Sequence, residues 1–207
     1  FFPLMAETKN DLNGFGRELS NMVNPMWLLK SLPNNVLCHI SIRHQLKGPN
    51  GCITNHTSSG ILSVIESAWA LREGDAERVV AVGHDAPIEP QTLLYLDRVG
   101  LIGKDLLRPF DQRHDGCLLG EGAASLVLET EASAQARGAA ILGEYLGGGD
   151  AAEGEGLFCI RSDGDGLSRA IELALDDAKL KPADVGMIVA HGNGTQESDA
   201  SEAAALL

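Results

Sequence analysis

Two short stretches carry the residue types best suited to chemistry. The first is Asn55-His56-Thr57-Ser58-Ser59-Gly60, which opens an apolar helical pattern at Ile61. Where a strand enters a helix directly, the junction side chain lies beside unpaired backbone N–H groups and the positive end of the helix dipole. That geometry exposes nucleophiles and stabilises the negative charge that develops in acyl transfer. A plain structural role fits the same residues, because Thr57, Ser58 and Ser59 are each suited to capping the helix. The second stretch is His191-Gly192-Asn193-Gly194-Thr195, directly after the apolar run 185–190. Ligands of open α/β sheets gather at strand C-termini, and the two glycines let backbone approach a substrate closely. A histidine placed there serves as acid, base or purely structural hydrogen-bonding group.

The other histidines, His39, His44, His56, His84 and His114, have no metal-ligand spacing. Cys38, Cys52, Cys117 and Cys159 contain no C-x-x-C pair, so no metal or redox site is expected and the thiols read as free. The acidic loop Asp163-Gly-Asp165-Gly fails the calcium-loop pattern, since its twelfth position is Ala174 rather than glutamate. Gly147-Gly-Gly149 lacks the Gly-Lys of a phosphate-binding loop and reads as a turn.

The elements that must position the two stretches follow from hydrophobic spacing. Residues 52–57 read as a strand, followed by a buried helix that Gly74 ends, and 78–83 as a second strand. Together they predict a right-handed, parallel β-α-β unit. Further strands are expected at 123–128, 141–146 and 185–190, with helices at 132–137, 168–178 and from 199 onward. Residues 36–46 have helical spacing, although a strand also fits. Alternating strands and helices predict an α/β fold with covered sheets.

Composition sets the outer bounds. The 207 residues are 44% apolar and only 4% aromatic, which suits tightly packed helix-and-sheet layers. A formal net charge of −13 argues against a nucleic-acid partner. No apolar run approaches the roughly 18 residues needed to span a bilayer, so no membrane association is expected. The chain opens at Phe1 without a signal peptide and stops inside an Ala-rich helical pattern, which reads as part of a longer chain.

Taken in order, the motifs resemble the elongating β-ketoacyl synthases. Leu32-Pro-Asn-Asn35, Gly48-Pro49 and Thr57-Ser-Ser-Gly60 match the family's run into its active-site turn. Arg108-Pro-Phe-Asp111, Asp115-Gly116, Gly120-Glu-Gly-Ala-Ala124, Leu126-Val-Leu-Glu129 and Arg137-Gly-Ala139 match the stretch downstream. His191 to Thr195, with Asp199 and Glu202, is similar to the family's H-G-T-G-T motif.

The resemblance implies a thiolase-like αβαβα layered sandwich, present here as a partial chain. The first half would be 1–138 and the second would begin within 139–207. It implies decarboxylative condensation of acyl and malonyl thioesters on acyl carrier protein, in fatty-acid or polyketide biosynthesis in the cytoplasm. No resident cofactor is implied, because the phosphopantetheine arm arrives on the carrier protein as substrate. The implied assembly is a dimer, with itself or with a ketosynthase, formed by a strand near 52–55 pairing across a two-fold axis. Thr57 takes the nucleophile position and His191 a catalytic one, the two side chains being expected within about 8 Å. Asn193 and Thr195 take substrate-binding positions.

One departure bears on activity. The family elbow reads T-A-C-S-S-G, whereas Thr57 stands at the cysteine position here. A hydroxyl is a far weaker nucleophile than a thiolate. Cys52 is expected on the opposite face of the strand from Thr57 and so does not replace it. This favours, as an alternative, a catalytically impaired partner like the chain-length factors, or a malonyl decarboxylase. The family's second histidine and its lysine have no counterpart in these residues.

Overall fold

In the computed structural model, residues 11–24, 26, 27, 29, 32–156 and 159–207 are described. Residues 1–54 and 55–207 form two compact units.

The first unit contains helices α1 (Leu12–Met22) and α2 (Asn35–His44). Asp11 caps α1 by accepting from the N–H groups of Asn13 and Gly14 at 3.0 and 2.9 Å. Helix α2 resolves the helix-or-strand ambiguity of its segment. It ends in Arg43 and His44, and Gln45 takes the left-handed conformation that closes many helices.

The second unit is built around helix α3 (Ser59–Arg72), strand β1 (Arg78–Asp85) and strand β2 (Gly122–Glu129). Helix α3 packs on β1, and Ile65 and Ala68 of the helix and Ala81 of the strand are buried. The two come close at Gly60 and Gly83, where a Cβ on Gly83 would lie 3.4 Å from the Gly60 Cα. Helix α4 (Pro90–Arg98) follows β1, and α5 (Glu131–Ala136) follows β2 with Thr130 as its cap. Helices α6 (Asp165–Ala178) and α7 (Gln196–Leu206) pack together near Gly164, where a Cβ would lie 2.5 Å from the Ser201 carbonyl oxygen.

The sheet differs from the expected one. Strands β1 and β2 pair antiparallel, in register from Arg78 opposite Glu129 to Asp85 opposite Gly122. The parallel β-α-β unit does not form, because residues 51–55 make no ladder and 56–58 are a 3₁₀ turn. Local bonding explains the loss of that strand. Ser58 Oγ donates to the Asn55 carbonyl at 2.9 Å, and Ser59 Oγ accepts from the Asn55 N–H and donates to the His56 carbonyl. Side-chain bonds of this kind compete with ladder formation. The placement of Cys52 by strand alternation lapses with the strand, as does the strand proposed for pairing at 52–55.

Segments 141–146 and 185–190 are likewise not strands. In the first, Leu146 accepts from Arg72 Nη2 at 3.4 Å, and behind it Gly147 and Gly149 seat against α6 while Gly148 lies against Ile65 of α3. A Cβ on Gly149 would run into the Ala170 carbonyl oxygen, so the triplet provides close packing rather than only a turn. In the second, no neighbouring strand among the described residues supplies ladder partners, and Met187 and Val189 are 80% and 86% exposed.

Candidate active site

The loop 191–195 is shaped from its own residues and from α7. Thr195 donates to Asn193 Oδ1 through both its N–H, at 2.9 Å, and its hydroxyl, at 2.8 Å. Both expected substrate-binding residues therefore sit in one tight turn, with Thr195 buried. Gly192 and Gly194 have φ of +49° and +80°, the left-handed region where a side chain is strained. A Cβ on Gly194 would also meet the Gly116 carbonyl oxygen at 2.8 Å.

Two carboxylates of α7 hold the loop from behind. Glu202 accepts from the N–H groups of His191 and Gly192 at 2.7 and 2.9 Å. Asp199, at 2% exposure, accepts from the Gly194 N–H at 3.1 Å, the Phe110 N–H at 2.7 Å and His114 Nδ1 at 2.9 Å. Burial raises the Asp199 carboxyl, but the bonds from His114, Phe110 and Gly194 outweigh it and hold its pKa below the usual value. The 108–117 loop is thus tied to the 191–195 loop, and the Gly116 N–H adds a bond to the Gly194 carbonyl at 3.0 Å. The side chain of His191 itself is exposed.

Thr57 lies in the 3₁₀ turn His56–Ser58 and is exposed. No side chain caps α3: the N-cap, Ser58, turns its hydroxyl back to Asn55. The capping role weighed for the threonine and serines is therefore not what these residues do. The first-turn N–H groups of α3 remain oriented toward the turn that carries Thr57. No hydrogen bond among the described residues joins Thr57 to the 191–195 loop.

Backbone strain gathers at the same places. Among the described residues four non-glycine residues have positive φ, and Gln45 and Lys179 are ordinary helix C-caps. The other two, His56 at 45° and Phe110 at 58°, lie beside Thr57 and in the loop held by Asp199. Strained backbone of this kind persists where the surroundings over-determine it, as they do at working sites.

The sequence reading placed Asp199 and Glu202 in a motif without giving them work, and it gave none to Phe110 or His114. A signal was present. Thr195, Asp199 and Glu202 recur at helical spacing along an Ala-rich helix, a polar stripe that turns out buried. Among the described residues no cluster of histidine, cysteine and carboxylate side chains could hold a metal ion.

Comparison with known proteins fits this arrangement. Residues 5–134 match the family described as beta-ketoacyl synthase, N-terminal domain, and residues 142–207 match the beta-ketoacyl synthase, C-terminal domain. A 3-oxoacyl-[acyl-carrier-protein] synthase 2 from Staphylococcus aureus is 34% identical over 189 residues, which are 89% of this chain and 47% of the relative. The oxytetracycline polyketide putative beta-ketoacyl synthase 1 of Streptomyces rimosus is 34% identical over 181 residues, 84% of this chain and 43% of its own. The solved ishigamide ketosynthase/chain length factor superposes with a TM-score of 0.80 at 32% identity, over 92% of this chain and 48% of that one. The chain belongs to the β-ketoacyl synthase family. Its fold is part of the thiolase-like ketosynthase fold, and it spans about half the length of the curated relatives it matches.

Proposed function

We propose that this chain serves fatty-acid or polyketide biosynthesis as a β-ketoacyl synthase-like acyltransferase, handling acyl and malonyl thioesters carried by acyl carrier protein. The observation that carries the reading is the 191–195 loop, whose turn and backing carboxylates are intact although the elbow residue has changed. His191 is assigned to malonyl decarboxylation, and Asn193 and Thr195 to the phosphopantetheine arm. Thr57 occupies the nucleophile position. The carrier protein named in the Staphylococcus aureus relative supports the choice of partner. No cofactor is proposed beyond the arm that arrives as substrate.

Residues 1–138 are proposed as part of the first half and 139–207 as the beginning of the second, a division that the two family matches support. Among the described residues no helix is long and apolar enough to cross a membrane. The proposed compartment is the cytoplasm and the proposed state a dimer.

A second reading has its own support in Thr57 and in the ketosynthase/chain length factor neighbour. In it the chain is the non-condensing partner of an active ketosynthase. A threonine hydroxyl needs a general base to attack a thioester, whereas a thiolate near a helix N-terminus does not. Intact-protein mass spectrometry after incubation with acyl-carrier-protein thioesters separates the readings. Wild type is expected to show no stable adduct, and Thr57→Cys to gain one, with Cys52→Ser in both backgrounds to fix its position. An acyl group on Thr57 in wild type would make it an oxygen nucleophile and defeat the partner reading. Malonyl decarboxylation that is unchanged in His191→Ala would defeat the role assigned to His191.

A further inference from the structure

We propose that His114 is a positioning residue for the 191–195 loop, acting through Asp199 and locked by it as the Nδ1–H tautomer. The inference rests on the site reading above in taking that loop as the working one, but its geometry is independent of any activity.

The argument begins with what an ionised carboxylate can do. It only accepts hydrogen bonds. A buried one is tolerable only when its lone pairs are filled by donors. Asp199 is 2% exposed, and its Oδ2 lies 2.9 Å from His114 Nδ1 and 2.7 Å from the Phe110 nitrogen. Its Oδ1 takes the Gly194 N–H at 3.1 Å. For His114 Nδ1 to sit at that distance from an acceptor it must carry the proton, which in the neutral ring leaves Nε2 as the acceptor.

The imidazole is therefore not an incidental surface group. Its side chain is 18% exposed, and the backbone on either side is fixed. The His114 N–H donates to the Asp111 carbonyl at 3.0 Å, and the neighbouring Gly116 donates to Gly194. Without the imidazole, Oδ2 keeps only the Phe110 N–H, and the buried carboxylate loses its side-chain donor. The carboxylate then has reason to rotate toward other donors, and the bond it gives up most readily is the longer one, to Gly194. That bond fixes the φ of +80° at Gly194, and so the direction in which the loop presents Asn193 and Thr195.

The test uses the whole protein labelled with 15N-histidine, together with hydrogen exchange resolved to the 108–117, 191–195 and β1–β2 segments. Long-range 1H–15N spectra of wild type should show the neutral His114 ring protonated at Nδ1 and bare at Nε2. In His114→Phe, exchange at 108–117 and 191–195 should accelerate by about tenfold or more, the factor expected for one hydrogen bond to a charged group. The β1–β2 amides should be unaffected. His114→Arg, which restores a donor toward the carboxylate, should recover most of the protection. A neutral wild-type ring with its proton on Nε2 overturns the proposal, and so does unchanged exchange at 191–195 in a folded His114→Phe. If His114→Phe does not fold, His114→Leu, which also lacks a donor, replaces it with the same expected acceleration. None of these readouts depends on Thr57 or on turnover, so failure of the functional reading would leave their outcome intact.

Discussion

At the scale of single residues, the carboxylates Asp199 and Glu202 shape this site more than the side chains usually credited with chemistry. Asp199→Asn keeps the shape but replaces an acceptor-only group with one that also donates, facing three donors already in place. Loss of stability on the order of 2 kcal/mol is expected by chemical denaturation, since bonds to a charged acceptor are worth about 1.5–3 kcal/mol each. Glu129 offers a pH test. The Arg137 guanidinium beside it lowers its pKa from 4.5 to about 2. A carboxyl depressed by folding contributes stability that is complete above its unfolded value and lost as pH falls through the folded one. Stability should therefore drop between about pH 5 and pH 2. Arg137→Ala should be weaker than wild type at pH 6, yet lose less than wild type between pH 6 and pH 3. The sequence made His191, Asn193 and Thr195 legible because a motif of two glycines around polar residues is local. It left the work of His114 unread because that work depends on a carboxylate 85 positions away.

At the scale of elements, helices were easier to read than strands. The apolar pattern from Ile61 to Leu71 became α3. The apolar runs 185–190 and 141–146, equally strand-like in composition, became neither strand nor helix. A helix satisfies its own backbone, whereas a strand needs a neighbour, and pattern alone does not provide one. The run 52–57 failed for another reason, the serine hydroxyls that close the turn at Asn55. The glycine triplet, a turn by its sequence, is a packing surface in the fold. Gly149→Ala would place a methyl hard against the Ala170 carbonyl oxygen, and 2.7 Å from the Ala174 nitrogen before any adjustment. Overpacking of this kind costs about 1–3 kcal/mol. Thermal unfolding should show that loss for Gly149→Ala, while Gly143→Ala, which meets nothing within 4 Å, should be close to neutral at that measure.

At the scale of the whole molecule, family membership was legible because several motifs stand in order at sensible spacing, a signal no single element carries. The sheet topology was not, since it depends on which strands find partners. The bond between His114 and Asp199 spans 85 residues and that from Phe110 spans 89, and α7 follows both partners in the chain. Closing so long a loop costs entropy before any contact repays it, and distant pairings of this sort form late. The order of events is thereby set by chain connectivity. During synthesis β1 and β2 can meet long before residue 199 has been added, and the 108–117 loop must wait in a conformation of its own. Pulse-labelling exchange during refolding should show the β1–β2 amides protected first and the Gly194 amide last. The interval between them is the period in which the protein is folded in its sheet and unfinished at its site.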